Sequence, residues 1–217
     1  NINERQIILL RNLNYIISLN RMRGKLIALY GVNNLGKTTQ AKLLVERLSR
    51  GGKNAHYLKY PIYDLVPSGL EIEAYLRGGN PLELSSREFQ IVQILNRTQY
   101  DEHLRRRIEK GEWIVVEDYI GTGLAWGIGA EVEAGFLENL NKHLLVEDCA
   151  ILIEGDRFLE GRESIHKHET DDVLTERVRE VHQELADRLG WYKVQANKTR
   201  EEVHENIWAR VKLLFNV

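Results

Sequence analysis

The feature that most restricts the fold of this chain is a glycine-rich stretch, GVNNLGKTTQ, at residues 31–40. Gly31, Gly36, Lys37 and Thr38 complete the pattern G-x-x-x-x-G-K-[ST]. The stretch lies between a short apolar run and a helical pattern, the context in which such a loop surrounds a phosphate chain with backbone N–H groups. The sequence therefore predicts a phosphate-binding loop between the first strand and the first helix of an α/β domain.

Beyond this loop, short apolar runs alternate with helical patterns, which is typical of βαβ units and a parallel sheet. We therefore predict an α/β fold, a doubly wound five-stranded parallel sheet flanked by helices. Ser85 with Glu88, and Thr199 with Glu202, have the spacing of capping boxes and mark two helix starts. The predicted strands cover 25–30, 54–60, 113–116, 150–153 and 192–195, and the predicted helices cover 38–48, 68–76, 85–110, 132–145, 173–189 and 199–214.

Composition excludes some classes of partner. The 217 residues carry 30 basic and 32 acidic side chains, a formal net charge of -2, so no charge excess favours nucleic acid or an anionic membrane. No stretch approaches the roughly 20 apolar residues of a membrane-spanning helix. The single cysteine, Cys149, excludes an internal disulfide and is typical of a reducing, cytoplasmic environment.

The domain organisation follows from the same patterns. Residues 1–23 read NINERQIILLRNLNYIISLNRMR and are interpreted as an N-terminal extension. We expect this extension to form a short helix, packed either on the domain surface or against a second subunit. Residues 24–217 contain no repeat, linker or low-complexity tract, and we predict that they form one domain built around the phosphate-binding loop.

The chemistry of the loop assigns the phosphate-donor side of a site. Lys37 is expected to reach the β- and γ-phosphates of ATP, and the Thr38 hydroxyl is expected to ligate Mg²⁺. The helix that follows adds the positive end of its dipole. The residues of the loop predicted to bind ATP are Gly31, Asn34, Leu35, Gly36, Lys37, Thr38 and Thr39.

Several further motifs resemble those of the thymidylate kinase family, in the family's order, from residue 25 to residue 217. The size of the chain and the absence of a guanine-specifying N-K-x-D motif also favour a nucleotide or nucleoside kinase. The matching stretches are GKTTQ at 36–40, KYPIY at 59–63 with PSG at 67–69, NRTQ at 96–99, EDYIGT at 117–122 with AW at 125–126, and VQAN at 194–197 with TREEV at 199–203.

This resemblance implies roles for residues on both sides of the site. Ala196 and Asn197 are expected in the loop over the adenine, and Glu117 is expected to orient Mg²⁺ through water. Arg97 is expected to reach toward the acceptor nucleotide. The complete set expected to bind the acceptor is Lys59, Tyr63, Gln93, Arg97, Gln99, Tyr119, Thr122 and Trp126.

Three positions depart from the family's pattern. Asn33 stands where the loop usually has Asp, and Asp118 stands where an arginine clamps the acceptor phosphate. Gln93 stands where a phenylalanine stacks on the thymine, with Phe89 one helical turn earlier as an alternative ring. Either acceptor recognition was rebuilt and phosphoryl transfer persists, or the acceptor site decayed and left a nucleotide-binding protein without kinase activity.

Residues 156–171 are predicted to form a short lid over the donor phosphates. The cations of this segment are Arg157, Arg162 and Lys167, and Arg162 is expected to stabilise the transferring charge, like an arginine finger from the same chain. Glu169 matches the family's acidic lid residue and is a further candidate metal ligand. The predicted catalytic residues are Lys37, Arg162, Asn33, Glu117 and Asp118.

The motifs together predict a cytoplasmic nucleoside monophosphate kinase that uses ATP and Mg²⁺ and phosphorylates dTMP. The alternatives are a related kinase with another acceptor, such as dUMP, dCMP or a deoxynucleoside, and a pseudokinase that binds nucleotide without turnover. The resemblance also implies a homodimer that packs through long helices. No membrane or nucleic acid is expected as a partner.

Overall fold

The computed structural model describes residues 23–157 and 172–217. The predicted N-terminal extension up to residue 22 and the lid residues 158–171 lie outside the described residues. The strands of the described part are β1 (Leu26–Tyr30), β2 (Ala55–Lys59), β3 (Trp113–Glu117), β4 (Cys149–Glu154) and β5 (Tyr192–Gln195). Its helices are α1 (Lys37–Arg50), α2 (Ser68–Arg77), α3 (Ser86–Glu109), α4 (Ile120–Gly129), α5 (Ala134–Asn141), α6 (Asp172–Leu189) and α7 (Arg200–Phe215).

The five strands form one parallel sheet in the order β2-β3-β1-β4-β5. The central strands β1 and β3 are buried along their whole length, which explains their nearly continuous apolar runs, LIALY and WIVVE. Glu117 is the polar exception, at the carboxyl end of β3. The predicted fold class, a doubly wound five-stranded parallel sheet flanked by helices, is confirmed.

The two predicted capping boxes are present. The Ser85 hydroxyl accepts a hydrogen bond from the Glu88 N–H, and the Glu88 carboxylate accepts one from the Ser85 N–H. Thr199 and Glu202 make the same reciprocal pair ahead of α7. Each box satisfies N–H groups that the first helical turn leaves without partners, so these local sequences start α3 and α7 where predicted.

The region between β3 and β4 differs from the prediction. The helix expected over 132–145 is shorter and covers Ala134–Asn141. A further helix, α4, precedes it and was not predicted, because four of its ten residues are glycines and glycine has low helix propensity. Tertiary packing overrides this local preference, since α4 is buried along most of its length.

The core lies on both faces of the sheet. One large apolar cluster joins alternate residues of the central strands to α1, α4, α6 and α7, and a second joins the opposite strand faces to α3. Within residues 23–157 and 172–217, no helix is long and apolar enough to cross a membrane. The carboxyl ends of the strands meet at one edge of the sheet, where ligands bind in open α/β folds.

Candidate active site

The phosphate-binding loop connects β1 to α1 at this edge. Gly31 has φ +133°, and a Cβ there would lie 2.3 Å from the Ile153 carbonyl oxygen, so only glycine fits. Gly36 precedes α1 with φ 78°, and no side chain caps the helix. The first N–H groups of α1 therefore face the loop, together with the positive end of the helix dipole, as an anion site requires.

Lys37 lies in the first turn of α1 and is buried. Its Nζ donates a hydrogen bond to the Val32 carbonyl oxygen at 2.9 Å and lies 3.5 Å from Asp118 Oδ1. The ammonium group is therefore held against the loop, where a triphosphate would lie. An opposite charge at this distance compensates part of the cost of burying the lysine.

Glu117, at the end of β3, contacts one residue of α1 and two residues of β2. Its carboxylate accepts hydrogen bonds from Thr38 Oγ1 at 2.8 Å, Tyr57 Oη at 2.7 Å and Lys59 Nζ at 3.0 Å. Burial raises the pKa of Glu117, but Lys37 and Lys59 outweigh it and hold that pKa below its usual value. The carboxylate is therefore ionised at neutral pH.

Thr38 and Glu117 offer oxygen atoms of the kind that Mg²⁺ prefers. In the described parts of the chain, no group of three His, Cys, Asp or Glu residues could hold a metal by itself. In proteins, Mg²⁺ is commonly bound by one or two protein oxygens and completed by substrate phosphates and water. The expected pair, a loop hydroxyl beside a strand-end carboxylate, is present.

A cavity of about 140 Å³ lies beside the loop. Residues from the loop, the end of β2, α2, α3 and α4 surround it. Six of the eight predicted acceptor-binding residues line this cavity: Lys59, Tyr63, Gln93, Arg97, Thr122 and Trp126. Asn33 and Asp118, the two departures beside the loop, line it as well. The loop and the cavity are therefore adjacent parts of one site.

Two predicted acceptor residues, Gln99 and Tyr119, lie outside the cavity. Gln99 is on the exposed side of α3 and donates to the Val66 carbonyl oxygen at 2.7 Å. Tyr119 is fully buried, and its hydroxyl donates to the Leu145 carbonyl oxygen at 2.9 Å. Phe89 is also outside, because it stacks on Tyr75 with ring centroids 3.6 Å apart. These three side chains hold neighbouring segments in this structure, and the acceptor-binding roles expected for Gln99 and Tyr119 stay predictions.

Asp118 lines the cavity and lies 3.5 Å from Lys37. It has a left-handed backbone, with φ 62°, and its carboxylate accepts a hydrogen bond from Thr122 Oγ1 at 3.2 Å. Burial raises the pKa of Asp118, and the nearby Lys37 opposes this without cancelling it. The residue therefore places a carboxylate where the family's pattern has an arginine.

Arg97 enters the cavity from α3 and is only 2% exposed. Its Nε and Nη1 atoms have no hydrogen-bond partner in the described part of the chain. Burial lowers the pKa of Arg97, but a guanidinium remains charged at neutral pH. A Cβ on Gly123 would lie 2.5 Å from Arg97 Nη2, so this glycine of α4 makes room for the guanidinium.

Six lining residues were not predicted as site residues: Tyr60, Pro61, Leu76, Arg77, Gln90 and Gly123. Arg77 lies in the last turn of α2, and its Nη1 donates to the Tyr63 hydroxyl at 2.8 Å. Gln90 lies three residues before Gln93 and seven before Arg97, so all three share one face of α3. Helical spacing from Arg97 was a usable signal for Gln90, whereas no motif marks Arg77.

The expected adenine-side residues lie at the same sheet edge. Ala196 donates its backbone N–H to the Glu154 carbonyl oxygen at 2.7 Å, and Asn197 Oδ1 accepts from the Asp156 N–H at 2.7 Å. These bonds join the end of β4 to the loop after β5. Arg157 lies 3.1 Å from Asp172 Oδ1. The predicted lid residues Arg162, Lys167 and Glu169 lie outside the described residues.

The chain matches the sequence model of a known protein family. The sequence model of the family described as thymidylate kinase matches residues 29–207. Similar curated proteins include the thymidylate kinase of Homo sapiens, 27% identical over 190 residues that cover 85% of this chain and 88% of that protein. The probable thymidylate kinase of Pyrococcus abyssi is 29% identical over 203 residues, which cover 88% of this chain and 97% of that protein.

Comparison with solved structures shows the same fold. The structure of the thymidylate kinase from Candida albicans matches with a TM-score of 0.73. The match covers 88% of this chain and 92% of that chain at 20% identity. At 20% identity, this match supports the arrangement of the sheet and helices only, and it does not assign roles to residues of the site.

Proposed function

The chain belongs to the thymidylate kinase family, and on that premise we propose that it transfers the γ-phosphoryl group of ATP to dTMP, yielding dTDP and ADP. One observation carries the proposal. A phosphate-binding loop and a polar, cation-lined cavity lie side by side at the carboxyl edge of the sheet, and Glu117 contacts residues of both. A donor phosphate and an acceptor phosphate bound in these two places would be neighbours.

On the donor side, the chain's own residues act by position and charge. The N–H groups of the loop and of α1 surround the triphosphate, and Lys37 turns from the Val32 carbonyl oxygen toward the β- and γ-phosphates. Thr38 would hold Mg²⁺ directly and Glu117 would hold it through water. When bound, this ion supplies charge neutralisation between the β- and γ-phosphates.

On the acceptor side, Arg97, Arg77 and Lys59 supply positive charge to the cavity. Lys59 is already held by Glu117 at 3.0 Å, beside the loop, and is placed to meet the acceptor phosphate. Arg97 and Tyr63 hold the nucleoside part. An acceptor phosphate oxygen attacks the γ-phosphorus directly, so the reaction requires no covalent enzyme intermediate and depends on alignment of the two phosphates.

The remaining predicted roles belong to this proposal. Arg162 would stabilise charge on the transferring group, and Arg157 and Lys167 would contact the donor phosphates. Glu169 would support the metal, and Ala196 and Asn197 would contact the adenine. Asn33 and Asp118 would arrange the space between the two phosphates. Exclusion of water by the lid would prevent hydrolysis of ATP.

A coupled assay of ADP release tests the function. The purified protein is given ATP with Mg²⁺ and, separately, dTMP, dUMP, dCMP, dAMP, dGMP or thymidine. We expect the highest kcat/KM with dTMP. Highest turnover with another acceptor would replace dTMP in the proposal. Binding of ATP with no turnover on any acceptor would instead identify a pseudokinase.

A homodimer through the long helices is part of the same proposal. Ile91 and Leu95 lie one turn apart on α3 and are 47% and 41% exposed. Two apolar side chains on adjacent turns suit a helix-to-helix contact between copies. Analytical ultracentrifugation should give the mass of a dimer, and the double variant Ile91→Glu/Leu95→Glu should give a monomer. A wild-type monomer at all concentrations would contradict the proposed assembly.

A cytoplasmic location completes the proposal. Cys149 is a buried free thiol, and burial raises its pKa to about 11. Such a thiol is inert and needs no oxidising compartment. Fractionation of the source cells should recover the protein with the cytosol.

A further inference from the structure

Tyr57 lies beside the expected metal site, although none of the motifs in the sequence includes it. Its hydroxyl contacts Oε2 of Glu117 at 2.7 Å, and the same oxygen accepts a hydrogen bond from Thr38 Oγ1 at 2.8 Å. A phenol is protonated at neutral pH, whereas Glu117 is ionised, so the tyrosine is the donor. Tyr57 is therefore bonded directly to the carboxylate that contacts Thr38.

The hydrogen bonds of Glu117 use both of its oxygens. Oε1 accepts from Lys59 Nζ at 3.0 Å and from Thr38 Oγ1 at 3.0 Å. Oε2 accepts from Tyr57 and from Thr38. The Thr38 hydroxyl has a single hydrogen, which points to this carboxylate, so its lone pairs are what it can offer to Mg²⁺. The orientation of Glu117 thus sets the orientation of the Thr38 hydroxyl.

The two donors from β2 differ in how firmly they are held. The half-buried ring of Tyr57 packs against the large apolar cluster, on a strand whose five residues all pair with β3. The side chain of Lys59 is 48% exposed and lines the cavity. It has a flexible four-carbon stem. The lysine can therefore move to an acceptor phosphate, whereas the tyrosine stays in place.

We propose that Tyr57 is a positioning residue whose hydroxyl holds Glu117 against Thr38. It keeps this pair in place while Lys59 moves from the carboxylate to the acceptor phosphate. The inference rests on the proposed function, because it requires donor and acceptor phosphates in the site. Thr38 and Glu117 are the pair expected to hold Mg²⁺, so Tyr57 acts on the affinity of the protein for this ion.

Tyr57→Phe tests this role, because it removes the hydroxyl and keeps the ring. The dissociation constant of Mn²⁺, a paramagnetic substitute for Mg²⁺, is measured by electron paramagnetic resonance on the complex of the protein with ADP. We expect Tyr57→Phe to raise this constant about tenfold, as is usual when an outer contact of a metal site is removed. Half-maximal activity should likewise require about tenfold more free Mg²⁺, and saturating Mg²⁺ should restore kcat to within about twofold of the wild type.

Tyr192→Phe is the matched control. Tyr192 is a half-buried tyrosine of β5, and the strand order places β5 and β2 at opposite edges of the sheet. Its Mn²⁺ constant and its dependence on Mg²⁺ should equal those of the wild type. A merely structural role for Tyr57 would lower stability or kcat at every Mg²⁺ concentration. An unchanged Mn²⁺ constant in a folded Tyr57→Phe protein therefore overturns the inference.

Lys59→Met separates the two donors from β2. This variant should raise the acceptor KM about tenfold, because a charged hydrogen bond to the acceptor phosphate is lost. Its Mn²⁺ constant should not rise, since Tyr57 still holds the carboxylate. Tyr57→Phe, in turn, should keep the acceptor KM of the wild type. A Mn²⁺ constant that rises as much in Lys59→Met as in Tyr57→Phe would overturn the assignment of this role to Tyr57.

Metal binding and turnover separate failure of this inference from failure of the proposed function. If no acceptor turns over but Tyr57→Phe weakens Mn²⁺ binding, the positioning role stands and the kinase function fails. If dTMP is phosphorylated and Tyr57→Phe leaves the Mn²⁺ constant unchanged, the inference is wrong and the kinase function stands.

A variant that does not fold, as judged by circular dichroism, leaves two further measurements. Tyr57→Met also removes the hydroxyl and serves in place of Tyr57→Phe. If neither variant folds, the wild type decides. Addition of dTMP to the ADP complex draws Lys59 from Glu117, and the Mn²⁺ constant should not rise because Tyr57 remains. A rise of about tenfold on addition of dTMP would overturn the inference.

Discussion

At the scale of single residues, Lys37 is the side chain that we expect to contribute most to the rate of phosphoryl transfer. We expect Lys37→Ala to lower kcat by about 100- to 1,000-fold, because one preorganised donor to developing charge is lost in a water-poor site. Lys42→Ala, on the exposed side of the same helix, is the matched control and should leave kcat unchanged. Steady-state assays with circular dichroism check both variants. Full activity in a folded Lys37→Ala protein would contradict the donor site.

Glu117 gives a prediction on pH and stability. The pKa of Glu117 in the folded protein is lower than its ordinary value of 4.5. The ionised carboxylate therefore stabilises the folded state above pH 4.5, and this stabilisation is lost as the pH falls through the folded-state pKa. Glu117→Gln should therefore lower the free energy of unfolding by about 1–3 kcal/mol at pH 7, since charged hydrogen bonds to Tyr57 and Lys59 are weakened. This difference should shrink as the pH falls below 4.5.

Urea unfolding at pH 7 and at pH 4 measures that difference. The matched control is Glu102→Gln, on an exposed part of α3, which should change the free energy of unfolding by less than about 0.5 kcal/mol at either pH. An effect of Glu117→Gln that is equal at both pH values would show that its carboxylate contributes through shape and not through charge.

At this scale, sequence motifs predict the positions of the loop residues more directly than those of the acceptor candidates. Lys37 and Thr38 are fixed by a contiguous loop, so spacing along the chain determines where they lie. Gln99 and Tyr119 match the family's motifs, yet one points to the surface of α3 and the other into the core. Arg77 enters the cavity only because α2 packs beside α3, and no local pattern records that contact.

Among the elements, α4 forms part of the cavity wall through Thr122, Gly123 and Trp126. Its glycines allow neighbours to approach closely, and a Cβ at Gly123 would meet the Arg97 guanidinium. We expect Gly123→Ala to raise the acceptor KM about tenfold, because the added methyl group displaces the Arg97 guanidinium from the cavity. The hydrogen bond from Arg97 to the acceptor that is lost would contribute roughly 1.5 kcal/mol, as is usual for a hydrogen bond to a charged group. The free energy of unfolding should change little, since alanine favours the helix.

The matched control for this prediction is Gly135→Ala in α5. A Cβ there meets only Glu133 Oε1, at 3.5 Å, which is an ordinary contact. That variant should keep the wild-type KM and gain up to about 1 kcal/mol of stability. Acceptor titrations and thermal unfolding measure the two quantities. A wild-type acceptor KM in Gly123→Ala would argue against Arg97 as a contact of the acceptor.

The elements also show why parts of the fold were predictable from sequence. The starts of α3 and α7 depend on side chains three residues apart, so their capping boxes are visible in the sequence. The strands β1 and β3 are visible as apolar runs because the sheet is covered on both faces. In contrast, α4 depends on close packing against α3 and α6, which compensates for the low helix propensity of its glycines, and only the folded chain shows this.

For the whole molecule, the parallel sheet brings residues that are distant in sequence to one edge. The loop after β1 leads into Lys37, and the ends of β2 and β3 supply Lys59 and Glu117. Lys59 contacts Glu117, and Lys37 lies 3.5 Å from Asp118, the residue after Glu117. The family match over residues 29–207 spans all three segments. The right order of motifs along the chain was therefore enough to predict the fold, whereas exact cavity walls required the packing of the helices.

The central position of β1 has a consequence for how this protein loses its nucleotide. All five residues of β1 are fully buried, and the strand is paired on both sides, with β3 and with β4. Strands of this kind open only when the entire domain unfolds. The strand that holds the start of the loop is therefore expected to stay in the sheet until the whole domain unfolds. In a urea titration, anisotropy of a trace fluorescent ATP analogue and tryptophan emission should decline at the same midpoint. Release of the ATP analogue at a lower urea concentration than the tryptophan midpoint would show that the loop or β1 unfolds before the rest of the core.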